Sequence, residues 1–243
     1  MEKEQLLLGR LLECDADFKD ITSYVGEKIE GKYEVLVYIS QFDGVGNKDS
    51  DFDIYVITDK KYSYPVEMIR IKNASCDIEY WEISELVEIA NIIDSKNYKN
   101  LKLLKKLSNA VPITSLGSIS NVRDFVLNID VDDKVYLYFK SLANAEYDDA
   151  VRMYKNEEYI SCLCCCQRTI NFWMAATNAK NNKANLNLKW ANKIFIDNDE
   201  FETQLIDEYL KTFVYINVTE ENIKLIVTKM IDFISNYNNV SLF

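Results

Sequence analysis

The chain has 243 residues, 48% hydrophobic and 28% charged, with 39 acidic against 28 basic side chains, a net charge of -11 and no histidine. That length allows one large domain or two small ones, and the missing histidine excludes Ser-His-Asp and Cys-His nucleophile systems and histidine-bound zinc. The acidity disfavours a protein devoted to gripping bare phosphate backbone and turns attention to carboxylates that could hold an oxygen-loving divalent cation.

Met1 to Leu8 has the outline of a short signal peptide, but Arg10, Glu13 and Asp15 interrupt the apolar run and no small-residue cleavage site follows. No stretch of about 18 uncharged apolar residues occurs, so no membrane-spanning helix is expected. Four of the six cysteines crowd into Cys162-Leu163-Cys164-Cys165-Cys166, a spacing poor for a disulfide framework. The expectation is a reduced, cytoplasmic protein. With two prolines and six glycines, long disordered linkers are not expected either.

In chain order, residues 4 to 30 read as helical, ending near Gly31. Glu34 to Ile39 reads as a buried strand, followed by a polar loop from Gln41 to Ser50. Phe52 to Thr58 is a second strand; Val66 to Ile71 and Ser75 to Trp81 give two more, joined at Lys72-Asn73-Ala74. Ser84 is placed to cap a helix whose apolar positions Leu86, Ile89 and Ile93 recur at helical spacing. Beyond Pro112 the texture changes, and Gly117-Ser118 marks a domain boundary. Helical periodicity then dominates, with a helix from Tyr159 to Lys180 and a loop from Asn181 to Asn187. In the last helix Thr219 is the expected cap, Glu220 and Glu221 fill the first turn, and Ile223, Ile226, Val227, Met230 and Ile234 share one face. The expected fold is α+β: a mixed β-sheet domain with flanking helices over residues 1–115, then an all-α helical bundle domain over 116–243.

The informative stretch runs from Ser40 to Val56. A strand delivers Ser40 into a loop where Gly44 and Gly46 permit close backbone approach, so that N–H groups could cradle phosphate oxygens. Asp51 and Asp53 follow at i and i+2, which puts both carboxylates on one face of a strand, while Phe52, Ile54 and Val56 point into the core. Two converging carboxylates are costly unless a cation offsets their repulsion, and Mg²⁺ bridging to triphosphate oxygens would do so.

This stretch resembles the signature of the polymerase-β-like nucleotidyltransferase superfamily: a serine, a glycine four residues on, and Asp-x-Asp eleven residues after the serine. Ser40, Gly44, Asp51 and Asp53 fall at those spacings, and Ser50-Asp51-Phe52-Asp53 matches the Ser-Asp-x-Asp ending. The family places a third carboxylate on a later strand between apolar residues. Cys76-Asp77-Ile78-Glu79-Tyr80-Trp81 fits, with Asp77 in that place and Glu79 on the same face. One departure is Ile39, where the family has glycine before the serine. The motifs cover roughly residues 33 to 82. The helical half matches the two-domain plan of the small antibiotic-modifying nucleotidyltransferases in outline.

The resemblance implies transfer of a nucleoside monophosphate from a nucleoside triphosphate to an acceptor hydroxyl, with pyrophosphate leaving. Asp51, Asp53 and Asp77 would ligate one or two Mg²⁺ ions. Ser40 and the loop at Gly44, with Ser50, would hold the triphosphate. Asp77 would complete the second metal site or take the acceptor proton, with Glu79 as the alternative third carboxylate. The expected partners are a nucleoside triphosphate and a small-molecule acceptor, aminoglycoside-like, or a protein acceptor. Acidity speaks against a nucleic acid, no membrane is expected, and a homodimer stays open. The other reading is a catalytically degenerate protein of the same fold that binds nucleotide or regulates a partner.

Further features carry two readings each. Lys189 could meet a triphosphate and Trp190 stack on a base, or Trp190 packs onto the helical domain. Cys162, Cys165 and Cys166 share a helix face that suits small core residues better than a soft-metal site. Arg168 and Trp173 stand where helical ribonuclease domains of the HEPN type have Arg-x4-His, so that chemistry is excluded, and Arg168 reads as an ion-pairing residue rather than one that touches substrate. Glu146, Asp148 and Asp149 read as a solvated acidic face, or as a surface that would suit a cationic acceptor or supply a base.

Overall fold

The computed structural model describes residues 2–62, 66–92, 97–115, 129–198 and 203–239. The chain divides into two compact units, Met1–Val131 and Asp132–Phe243. The boundary expected at Gly117-Ser118 lies outside the described residues, as does Ile93.

The first unit is built on a mixed sheet of β1 (Tyr33–Tyr38), β2 (Phe52–Thr58), β3 (Glu67–Ile71), β4 (Ala74–Glu82) and β5 (Val111–Ser115), in the order β3-β4-β2-β1-β5. β2 runs antiparallel to β1 and parallel to β4. The central strands are rich in β-branched and aromatic residues and are buried almost throughout, as a sheet covered on both faces requires. On one face Val35, Val37 and Ile39 of the first strand segment pack with Phe52, Ile54 and Val56 and with Cys76 and Ile78. Leu7 and Leu11 of α1 (Glu2–Leu12) and Ile21 and Val25 of α2 (Phe18–Gly26) close that core. The alternate residues, Tyr38, Asp53, Tyr55 and Asp77, belong to the opposite face. There α4 (Tyr98–Asn109) approaches through Lys106, whose ammonium reaches Asp53.

Four sequence expectations are corrected. The single helix over residues 4 to 30 is two helices. Asp15 adopts φ 56, and Asp17 caps α2 in a reciprocal capping box with Asp20, a stop and a restart within a few residues. The helix α3 (Ile83–Asn91) begins before Ser84, and its cap position is Glu82. The last helix runs from Ile223, one turn beyond Thr219, whose N–H donates to Asn222 Oδ1 at 2.7 Å and whose carbonyl accepts from Ile223 N–H at 3.0 Å. Finally, β5 was not expected at all. Pro112 sits on it, at a sheet edge where a missing N–H is tolerated, beside a register shift between Val35 and Leu36.

The second unit is helical: α5 (Val131–Lys155), α6 (Tyr159–Lys180), α7 (Ala191–Ile196), α8 (Thr203–Tyr209) with a π-helical turn at Leu210–Val214, and α9 (Ile223–Asn239). Trp173 to Ala179 of α6 are all buried, which makes it the unit's central helix. Its core is a chain of rings, Trp173–Phe195 at 5.4 Å, Phe195–Tyr209 at 6.2 Å, Tyr209–Phe213 at 5.8 Å and Phe213–Phe233 at 5.3 Å. Cys162, Cys165 and Cys166 are buried free thiols. Among the described residues, no helix is long and apolar enough to cross a membrane.

Candidate functional site

The loop after β1 is set by its own hydrogen bonds. Ser40–Asp43 form one 3-10 turn, which Gly44 ends in the left-handed region at φ 72. Gly46, at φ 92, is the closer constraint: a Cβ there would lie 2.7 Å from Ser40 Cβ and 3.2 Å from Ser50 Oγ. The N–H groups of Phe42, Gly44 and Val45 donate to carbonyls inside this turn. Ser50 Oγ accepts from Asn47 N–H at 3.1 Å, so its hydroxyl organises the loop. Among the described residues, the Ser40 hydroxyl meets no protein partner. Arg10 of α1, only 8% exposed, donates to the Lys48 carbonyl and pairs with Glu13, fastening the loop to the unit's core.

The loop hands over to the carboxylates. Asp51 is exposed just before β2, and Asp53 lies on β2 in register with Tyr38 of β1 and Asp77 of β4. Asp53 and Asp77 are therefore neighbours on adjacent parallel strands, about 4.8 Å apart at the backbone. Burial, then the charges of Asp51 and Asp53, push the Asp77 carboxyl above its ordinary value; the nearby Lys106 ammonium opposes them. Glu79, opposite Tyr55, is also pushed up by burial, although Trp81 Nε1–H donates to it at 3.1 Å.

Residues not singled out in the sequence complete this face. Lys106 Nζ pairs with Asp53 Oδ1 at 2.7 Å, both side chains about one-fifth exposed, and lies 5.4 Å from the centre of the Tyr38 ring. Asp43 accepts from Tyr38 Oη–H at 2.8 Å and from Asn109 Nδ2–H at 2.8 Å. Burial raises the Asp43 carboxyl despite those donors. Lys102, Lys106 and Asn109 fall at i, i+4 and i+7 on α4, a helical face that the spacing alone could have flagged.

Ser40, Gly44, Ser50, Asp51, Asp53 and Asp77 thus all lie in the first unit. Lys189 belongs to the second, where its ammonium stands 5.1 Å from the Trp190 ring. Arg168 pairs with Glu146 at 2.8 Å, and Asp149 with Arg152; both are ion pairs within the helical unit. The donor set at Asp51, Asp53 and Asp77 is all carboxylate and suits a hard divalent cation. Among the described residues, however, no three Cys, Asp or Glu side chains stand close enough together to hold an ion. At Asp53 the neutralising charge is the Lys106 ammonium.

No protein family's sequence profile matches the chain, and no curated protein matches it. The architecture is similar to the crystal structure of a nucleotidyltransferase-like protein from Exiguobacterium sibiricum. The TM-score is 0.50 and the identity 9%, over 88% of this chain and 70% of that one. The chain has a nucleotidyltransferase-like fold.

Proposed function

We propose that the protein is a Mg²⁺-dependent nucleotidyltransferase. The observation that supports this reading most is the pairing of Asp53 with Asp77 on one sheet face, with Asp51 two residues upstream. An acceptor hydroxyl oxygen bonds to the α-phosphorus of a nucleoside triphosphate as the bond from that phosphorus to the pyrophosphate oxygen breaks. Asp51, Asp53 and Asp77, which do not stand close enough together to hold an ion in this structure, would have to close around it, and the ion would supply charge neutralisation to the triphosphate. Asp77 would complete the ion's ligand set or take the hydroxyl proton, with Glu79 on the same sheet face as the alternative third carboxylate. Ser40 Oγ–H and the loop from Gly44 to Ser50 position the phosphates. The net charge of -11 favours a cationic small molecule or a protein as acceptor over a nucleic acid.

The test is calorimetric titration of nucleoside triphosphates with and without Mg²⁺, alongside a pyrophosphate-release screen over aminoglycoside-like and protein acceptors. Mg²⁺-dependent binding lost in Asp51→Asn and Asp53→Asn, together with release on some acceptor, is the expected result. Binding indifferent to both substitutions would sink the metal assignment. A second reading, a nucleotide-binding or partner-regulating module without catalysis, is favoured by the ion pair that engages Asp53 and by Ile39 in place of glycine. Binding without release on any acceptor selects it.

A further inference from the structure

The second unit holds a small cavity of about 330 Å³ bounded by the π-helical turn at Leu210–Val214 and the start of α9. From α9 come Asn222, Leu225, Ile226 and Lys229, which recur at i, i+3, i+4 and i+7 on one helix face. From the other side come Lys211 and Thr212 of the π-helical turn, then Ile216 and Asn217. The turn is wider than an α-helical one because Tyr215 N–H donates to the Leu210 carbonyl, five residues back, at 2.8 Å, and such turns recur at functional sites. The segment after it is fixed in place. Asn222 Nδ2–H donates to the Asn217 carbonyl at 2.8 Å, and Asn222 Oδ1 accepts from Thr219 N–H at 2.7 Å.

The cations of this cavity lack counter-ions. Lys28, Lys61, Lys72, Lys106 and Lys193 are all ion-paired, as a chain of net charge -11 makes easy. Among the described residues, neither Lys211 nor Lys229 has a carboxylate within ion-pairing distance. Two ammonium groups that line one cavity favour an anion there. The Thr212 hydroxyl also meets no partner among the described residues, whereas Thr169, Thr177 and Thr228 each donate to the carbonyl four residues back. Two cations and a hydroxyl donor suit a phosphate group, which carries close to two negative charges near neutral pH. The rest of the lining, Ile216, Leu225 and Ile226, is aliphatic and offers no ring for a base to stack on. We infer that this cavity binds a small phosphate monoester of an aliphatic alcohol. Its phosphate would meet Lys211, Lys229 and Thr212, and its chain would lie against Ile216, Leu225 and Ile226. The inference is independent of the carboxylate face in the first unit.

Calorimetric titration of the full chain with hexyl phosphate, inorganic phosphate and hexanol tests it. Hexyl phosphate is expected to bind at one site, roughly tenfold or more tighter than inorganic phosphate, because each buried methylene adds affinity. Hexanol, without the charge, should bind more weakly by a similar factor of about ten. Lys211→Gln and Lys229→Gln should each weaken hexyl phosphate about five- to tenfold, as the loss of one charge-assisted contact does. Leu225→Asn should weaken hexyl phosphate and leave inorganic phosphate unchanged. All three substituted side chains are exposed, so the variants keep the fold. Lys193→Gln, whose native ammonium pairs with Asp197 at 3.2 Å, should bind as native protein does. No saturable binding of hexyl phosphate overturns the inference. So does inorganic phosphate or hexanol binding as tightly as hexyl phosphate, or binding indifferent to both lysine substitutions.

Discussion

Asp53 and Asp77 occupy the same register position on neighbouring parallel strands, so the sheet itself brings two carboxylates together. Phe52 and Ile54 on one strand, and Cys76 and Ile78 on the other, are buried in the core beneath them. A one-residue slip of either strand would drive an aspartate into that core. The proximity is therefore enforced by packing on the far face, and its electrostatic cost is built into the fold.

That cost has a pH signature. Burial and the neighbouring aspartates hold the Asp77 carboxyl above its ordinary 3.8. Between 3.8 and the raised value the native state keeps a proton that the unfolded chain has lost, so stability falls as pH rises through that window. Asp77→Asn has no charge to crowd. It should melt at a higher temperature than native protein at pH 7, with the difference closing as pH drops towards 3.8. The same variant should lose nucleotide transfer. Parallel melting curves at every pH would show that Asp77 is not crowded.

Gly44 and Gly46 separate a turn requirement from a packing requirement. An alanine Cβ at Gly44 meets nothing within 4 Å, so the φ of 72 alone sets the cost, about 1–2 kcal/mol. At Gly46 the same change adds a 2.7 Å approach to Ser40 Cβ, between backbone-fixed atoms that cannot swing away. Gly46→Ala should cost more than Gly44→Ala in denaturant unfolding, and should weaken triphosphate binding more, because it displaces Ser40. Equal effects from the two would mean that the approach to Ser40 is relieved by loop movement.

Much of the first unit is legible in the sequence because its strands are short and strongly patterned. Phe52–Thr58 reads as a strand from composition, and Asp53 and Asp77 stand out because each is a charge between core residues. What was missed follows from local ambiguity. The lysines of α4 look like any solvated helix face; only the tertiary fold brings Lys106 to Asp53. Asp43 reads as a loop acid until Tyr38 and Asn109 are seen to enclose it. Pro112 argues against a strand unless the sheet order makes that strand an edge. The break at Asp15 to Asp17 depends on one left-handed residue and a reciprocal cap, which apolar periodicity does not register.

Arg10 links the N-terminal helix to the candidate site. It is buried, lies 6.0 Å from the centre of the Phe52 ring, and donates to the Lys48 carbonyl inside the loop between β1 and β2. Arg10→Met keeps the stem that covers Phe52 but removes the donor and the charge. The expected stability loss is about 1.5–3 kcal/mol, the cost of a lost hydrogen bond to a charged donor. Hydrogen exchange should quicken across residues 44–50 while the central strands stay protected. Unchanged exchange in that loop would show that its own hydrogen bonds, through Asn47 and Ser50, hold it without Arg10.

Tyr38 and Asp43 supply the last test, because their hydrogen bond opposes burial directly. Burial raises the Asp43 carboxyl, and the Tyr38 hydroxyl at 2.8 Å is foremost among the groups that hold it down. Tyr38→Phe keeps the ring beside Phe42, a 6.1 Å edge contact, and the ring face under Lys106, yet removes one hydrogen bond to the carboxylate while that from Asn109 stays. At neutral pH, where the carboxylate is charged, the loss should be about 1.5–3 kcal/mol, as for a hydrogen bond to a charged group. The sign with pH follows from linkage. Removing the donor raises the folded-state value further, so the native state of the variant takes up its proton at higher pH and the deficit shrinks as pH falls. Urea unfolding of native and Tyr38→Phe protein from pH 7 down to pH 4 reads both effects. A deficit that stays constant over that range would mean that Tyr38 contributes packing and not charge stabilisation at Asp43.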